Sequence, residues 1–491
     1  MKKAEQRRAR AHQRFGSGTA RTTASTNVAP FSGVRIQNAG AERLFLQRGR
    51  TRKSTGREYD PPVQGYVLSE LDSGERLITE RVASVRSVSL GFWIGAGARD
   101  EPDTKAGVSH FIEHLLFKGT GSYDAQQIAE VFDEMGGELN AATSREHTVV
   151  YARVPDRHLE DALDVMADMV FAPAFADLDS EREVVLEEIA MVEDAPQDLV
   201  HDLLSEAVFS SHPLGRPVIG RADVISTIGR RAIASYHRNA YVAGNIVLAA
   251  AGNLEHDHVV TLLERAARQR VEPPARRTKV RTPLVREPAP GLRFQRKDTE
   301  QFHVCIGSTG ISRSDRRRFA ASLLDAILGG SASSRLFQEI REKRGMAYSV
   351  YSFASQYTDT GLVGIYLGTR EENLAACLEI VAGEIADIAG GNLRGRELER
   401  AKENLKGRIA LSMESTSNRM SRLGRSLITD TELLSLDRII AEIDAVEPVA
   451  VAELAGVLLE PGRISAAGIG PSEERFLEGV ELVHPGLAAA A

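Results

Sequence analysis

Five consecutive residues, His110-Phe111-Ile112-Glu113-His114, carry two imidazoles four positions apart with a carboxylate between them. On a helix, at about 100° per residue, His110 and His114 lie roughly 40° apart and one turn above the other. Both rings can therefore reach one metal ion. Glu113 flanks the pair, close enough to touch a water on the metal without taking a coordination position. The glutamate precedes the second histidine, the reverse of the commoner His-Glu-x-x-His order. Such a set can activate water, because a metal lowers the pKa of bound water and the carboxylate takes its proton. A catalytic zinc takes three protein ligands, so one more acidic or imidazole group must come from a separate element.

The segment Asp179-Ser180-Glu181-Arg182-Glu183-Val184-Val185-Leu186-Glu187-Glu188-Ile189-Ala190 is the best source of that group. Asp179 or Ser180 is expected to cap a helix whose acid-rich first turn suits the macrodipole. Glu181 and Glu188 stand seven apart, two turns along one face. Two carboxylates so placed offer one ligand and one group that orients a histidine. Glu183 and Glu187 read as a solvated face.

The run His110-Phe-Ile-Glu113-His114-Leu-Leu-Phe-Lys-Gly-Thr120, followed by Glu181 and Glu188, resembles the inverzincin peptidases of the pitrilysin and insulinase family. The short form of that family, similar to bacterial processing proteases and the mitochondrial processing peptidase β subunit, fits best. The resemblance implies a zinc-dependent endopeptidase acting on short or unfolded peptides. It implies one zinc ion per chain, with His110, His114 and Glu188 as ligands, Glu113 as base, and Glu181 supporting the metal-bound histidines. Gly136-Gly137-Glu138-Leu139-Asn140-Ala141-Ala142-Thr143-Ser144 is similar to the family's active-site edge strand. There the substrate adds as a β-strand, which implies peptide contacts at Asn140, Ala141 and Ala142; main-chain pairing of this kind permits loose sequence preference. Ser333 to Tyr348 is similar to a further family segment, in which Arg341 and Tyr348 correspond to a pair that holds the substrate carbonyl or developing oxyanion, a role suited to guanidinium and phenol donors. The family further implies a homodimer or a heterodimer, with four half-chain domains enclosing a chamber that admits unfolded peptides. Its relatives include non-catalytic scaffold or substrate-binding subunits, which lack part of the metal set. Here the set is complete, and the glycine-rich loop of the mitochondrial non-catalytic partner is missing.

The elements that must position these residues follow from periodicity. Val67 to Val82 alternates around Asp72-Ser73-Gly74, a hairpin pattern, and Val88 to Ile94 reads as a strand. The motif helix starts after Gly107, and Ala125–Met135 is a second amphipathic helix. The edge strand and a strand over Thr148–Val154 come next, then helices over His158–Met169 and Ser180–Glu193, and a short strand over Ile246–Ala251. The Pro- and Arg-rich stretch 271–290 reads as a linker. The order then repeats, with a strand at Phe302–Ile306, helices at Arg317–Leu328 and Arg335–Lys343, and strands at Tyr348–Phe353 and Leu362–Leu367. The first helix of this second copy has no histidine pair. The expected fold class is α+β, with two homologous half-domains forming half of a clamshell. A metal-bearing domain is expected over 65–270 and a metal-free one over 291–485.

Composition sets the outer bounds. A chain of 491 residues exceeds the usual size of a single core. Its 42% hydrophobic and 26% charged content is ordinary for a globular protein. No apolar run approaches the ~20 residues of a membrane span. Cys305 and Cys377 are the only cysteines, too few for a disulfide framework. The first sixty residues carry fourteen Lys or Arg and four acidic side chains, a net +10 within a chain of −7. Residues 1–64 read as a disordered basic tail without a secretory signal's apolar region. The expected location is cytoplasmic, or the mitochondrial matrix if the tail is a transit peptide. The tail lacks the aromatic interleaving of a nucleic-acid surface. His147, His201, His212, His237 and His303 have no ligand spacing to one another, and Gly329-Gly330-Ser331 lacks the Lys-Ser/Thr of a phosphate cradle.

Overall fold

The protein is described as a computed structural model covering residues 65–268 and 288–490. The tail expected over 1–64 and positions 271–287 of the expected linker lie outside the described residues. The first sheet contains β1 (Tyr66–Glu70), β2 (Arg76–Arg81), β3 (Ser87–Ile94), β4 (Glu138–Thr143), β5 (Thr148–Pro155) and β6 (Ile246–Gly252), in the order β1-β2-β6-β3-β5-β4. The second contains β7 (Leu292–Arg296), β8 (Phe302–Gly310), β9 (Ala347–Gln356), β10 (Gly361–Thr369) and β11 (Ser465–Gly470), in the order β7-β11-β8-β10-β9.

The two orders are the same once β1 is set aside. In each sheet the first and last strands of the repeat pair in parallel, β2 with β6 and β7 with β11, and every other pairing is antiparallel. The chain is α+β with two half-domains of one topology. β4 and β9 are the corresponding outer edges.

The motif helix α1 (Val108–Leu116) is built as its sequence dictates. Val108, Phe111, Ile112, Leu115 and Leu116 recur at i, i+3, i+4, i+7 and i+8 and are all buried, the apolar stripe of a core-facing helix. His110, Glu113 and His114 fall on the opposite face. Gly107 starts the helix at φ 92°, and a Cβ there would meet the Gly220 Cα at 2.7 Å. The following helices are α2 (Ala125–Met135), α3 (Leu159–Phe171), α4 (Leu178–Asp194) and α5 (Pro196–Phe209). In the second half α6 (Arg318–Leu328) takes the place of α1, and α7 (Glu371–Ala389), α8 (Glu397–Ser412) and α9 (Thr416–Ile428) take those of α3, α4 and α5.

Two expectations are corrected. α4 begins before Asp179 and Ser180, so neither caps it; Asp177 stands at the cap in the left-handed region, without a side-chain cap hydrogen bond. Asp179 and Glu181 instead act on the dipole from inside the first turn. The second helix expected over Arg335–Lys343 winds as a π-helix across Phe337–Glu342, with the Lys343 N–H donating to the Gln338 carbonyl, five residues back.

The halves exchange helices. From the first half, α5 lays Val200, Leu204, Val208 and Phe209 against Cys305, Leu362, Tyr366, Ala467 and Ile469 of the second sheet. From the second half, α9 lays Met420, Leu423, Leu427 and Ile428 against Ile78, Trp93, Val149, Val247 and Ala249 of the first. Each fully buried side chain of this size contributes about 1.5–3 kcal/mol, so the exchange joins the halves strongly. No helix among the described residues is long and apolar enough to cross a membrane.

Candidate metal centre

α1 and α4 pack together and bring three side chains to one point. Ligand atoms of His110, His114 and Glu188 lie within 4.8 Å of one another. Glu188 Oε2 stands 3.4 Å from His114 Nε2 and 3.7 Å from His110 Nε2. Donors bound at about 2.0–2.1 Å around a tetrahedral ion lie roughly 3.3 Å apart, so the spacing and the His-His-carboxylate chemistry both fit a metal. The other side of His114 faces Glu181, with Nδ1 and Oε2 at 3.5 Å. Such a contact fixes the tautomer and leaves Nε2 for the metal. Glu181 is buried, and its second oxygen is held by Lys118 Nζ at 2.7 Å. Glu183 and Glu187 are exposed.

The electrostatics draw a cation. Burial, helped by the neighbouring His114, pushes the His110 pKa down to about 4, so its ring is neutral with a lone pair to give. Burial opposes charge on His114 as well, but the hydrogen bond and charge of Glu188, backed by Glu113 and Glu181, outweigh it and raise its pKa. The His114 hydrogen bond in turn holds the Glu188 carboxyl below its usual range, against burial. The two shifts have one cause, the attraction between the Glu188 carboxylate and positive charge at His114, and a metal cation would meet the same attraction.

Glu113 lies one residue before His114 and accepts a hydrogen bond from Thr143 Oγ1 at 2.5 Å. Burial raises its pKa, and the Thr143 bond and the charge of His114 pull back. A carboxyl whose pKa is raised by burial and that is held by Thr143 is suited to taking and returning a proton.

Thr143 ends β4, the outer edge of the first sheet. Along β4, Ala141 turns into the core while Asn140 and Ala142 face solvent. The Asn140 side-chain oxygen accepts the Ala141 N–H at 2.8 Å. Arg341 and Tyr348 lie on the second half, at the π-helix and the start of β9. The Arg341 guanidinium is sandwiched 4.7 Å from the Phe337 ring and 4.4 Å from the Tyr348 ring, and Tyr348 is 78% exposed. Among the described residues, no hydrogen bond, ion pair or ring contact joins this pair to the histidine cluster.

Three residues of the site carry no pattern in the sequence. Thr143 and Lys118 act through space on Glu113 and Glu181. Glu101 accepts the N–H groups of Gly107 and Ser109 at 2.7 Å each, satisfying the first turn of α1. The only signal is a carboxylate eight residues before Ser109, short of any recognisable capping spacing.

The chain matches the family model described as Insulinase (Peptidase family M16) over residues 76–222 and the one described as Peptidase M16 inactive domain over 227–405. It is 41% identical to an uncharacterized zinc protease of Mycobacterium leprae over 414 residues, 83% of this chain and 92% of that protein. It is 39% identical to the zinc protease YmxG of Bacillus subtilis, over 76% of this chain and 91% of that protein. Among solved structures, a peptidase M16 inactive domain from Pseudomonas fluorescens superposes with a TM-score of 0.77 at 23% identity, covering 83% of this chain and 98% of that one. A protease from Helicobacter pylori does so with a TM-score of 0.78 at 20% identity, covering 83% and 100%. With half-domains of one topology, a His-His-Glu cluster on the first of them and these similarities across most of its length, the chain belongs to the insulinase family of peptidases, M16.

Proposed function

We propose that this chain is a zinc-dependent endopeptidase that takes short or unfolded peptides, including substrates of the processing type, as extended strands. The observation that carries the reading is the convergence of His110, His114 and Glu188 within 4.8 Å, with Glu113 beside them. Bound there, one zinc ion would polarise the scissile carbonyl and bring the pKa of a water to about 7. Glu113 takes the proton of the attacking water and returns it to the leaving amine, and Thr143 keeps its carboxylate aimed. The substrate pairs with the free edge of β4. There it takes the Ala141 N–H, and the Asn140 amide swings out to contact the peptide.

Arg341 and Tyr348 supply donors for the substrate carbonyl and its developing negative charge. Stacking between two rings orders the guanidinium in advance. Because the pair sits on the second sheet's edge, a second chain is the natural means of closing the site, as a homodimer or with a different partner. The complete donor set supports catalysis over a scaffold role. The bacterial sources of the relatives support a cytoplasmic setting over a mitochondrial one.

The test is cleavage of a mixed unstructured peptide library by the purified chain, with and without chelator, alongside its mass in solution. Glu113→Gln should keep zinc and lose turnover by a factor of about 10² or more. Full activity in that variant, with its zinc content verified, would overturn the assignment of the base.

A further inference from the structure

The hairpin joining β4 to β5 turns at Ser144–His147, one residue beyond the Thr143 that holds Glu113. This tip is not free. The Ala98 N–H donates to the Ser144 carbonyl at 3.1 Å, and the Arg99 N–H to the Arg145 carbonyl at 2.8 Å. The Arg145 side chain donates to the Leu214 carbonyl at 3.0 Å, to Ser205 Oγ at 3.0 Å and to Asp202 at 3.3 Å; Ser205 and Asp202 lie on the exchanged helix α5.

Glu146 goes further and enters the second half. Its carboxylate is 2% exposed and accepts from Arg99 Nη1 at 2.9 Å, from Arg313 Nη1 at 3.0 Å and from the Thr358 backbone N–H at 3.1 Å. Arg99 forks onto Asp359 at 2.7 and 2.8 Å, and Arg313 reaches the Gln356 carbonyl at 2.6 Å. Gln356, Thr358 and Asp359 belong to the β9–β10 hairpin. The tips of the two edge hairpins thus meet at two guanidiniums and two carboxylates. Loss of Glu146 takes from the buried Arg313 guanidinium the carboxylate it pairs with at 3.0 Å, so the tips hold one geometry.

We infer that the cluster of Glu146, Arg99, Arg313 and Asp359 positions the active-site edge: the metal-free half acts through it on Thr143, and through Thr143 on Glu113. Glu146 and Arg313 are positioning residues, and neither touches the reacting atoms. The inference rests on the peptidase reading for its kinetic readout alone.

The experiment is a double-mutant cycle on the zinc-loaded full chain. Thr143→Val and Glu146→Gln should each lower kcat about tenfold, with KM and zinc content little changed. The double variant should lose far less than the product of the two, because both act along one path. Glu384→Gln is the control. It weakens a separate buried cluster in which Arg335 Nη1 contacts Glu384 at 3.2 Å; it should lower Tm, leave kcat alone and multiply simply with Thr143→Val. Amide hydrogen exchange gives a readout independent of turnover, since Glu138–Thr143 should exchange faster in Glu146→Gln and not in Glu384→Gln. Wild-type kcat in Glu146→Gln, a multiplicative cycle, or unchanged exchange along β4 would each overturn the inference. Loss of chelator-sensitive cleavage in the wild-type chain would instead overturn the peptidase reading and leave the exchange result to decide. If Glu146→Gln does not fold, Asp359→Asn at the cluster's more exposed edge takes its place with the same expected pattern.

Discussion

At the scale of single residues, the site depends on which carboxylates face inward. Glu187 and Glu188 are neighbours in sequence, yet Glu187 points to solvent and Glu188 meets both histidines. Glu188→Gln is therefore expected to lower zinc occupancy much more than Glu187→Gln, measured as metal per chain after dialysis. Equal losses would reopen the question of the third ligand. The residue pattern made the shared face of the two histidines and Glu113 legible, because i, i+3 and i+4 spacing on a helix fixes a common face. Glu188 was legible as one of two acids on a face, and only resemblance chose between Glu181 and Glu188. Thr143, Lys118 and Glu101 were not legible, since contacts made across the fold leave no period in the chain.

At the scale of elements, apolar alternation and helical spacing placed both copies of the repeated order. They could not place the exchanged helices. An amphipathic helix records that one face is buried and says nothing of what buries it, so α5 and α9 gave no sign of crossing to the opposite sheet. Nor could they foresee the π-helix over Phe337–Glu342, which differs from an α-helix in hydrogen-bond register and not in residue type. The α9 crossing makes a direct prediction. Gly424 packs so closely on the first sheet that a Cβ there would overlap the indole of Trp93. Gly424→Val should destabilise the fold by about 3 kcal/mol through overpacking, read from urea unfolding. A loss within error of wild type would mean that the helix can shift outward at little cost.

At the scale of the whole molecule, the seam between the halves carries a titratable group. His201 on α5 is partly buried against the second sheet, where Nε2 contacts the Tyr351 hydroxyl at 2.9 Å and the ring stacks near Tyr366. Burial, with the charge of Arg145 nearby, lowers its pKa from 6.5 to about 4. The folded state therefore holds the neutral ring, while the unfolded chain takes up a proton below its ordinary pKa. This contribution to stability is full above about pH 6.5 and is lost as pH falls toward 4. His201→Gln should shrink the fall in Tm between pH 7 and pH 5. An identical pH dependence in wild type and variant would place the acid sensitivity elsewhere.

What the sequence determined by itself was local. It set a helix with two imidazoles and a carboxylate on its polar face, an acid-rich second helix, and the order of strands and helices in two copies, because each of these follows from residue spacing against a fixed backbone period. What the tertiary structure decided was the meeting of distant surfaces. It brought Glu188 to the histidines and Thr143 to Glu113, sent each half's helix across to the other's sheet, and joined the two edge hairpins through Glu146. Those contacts depend on burial and on charge compensation between segments more than a hundred residues apart in several cases, and no local pattern encodes that closure.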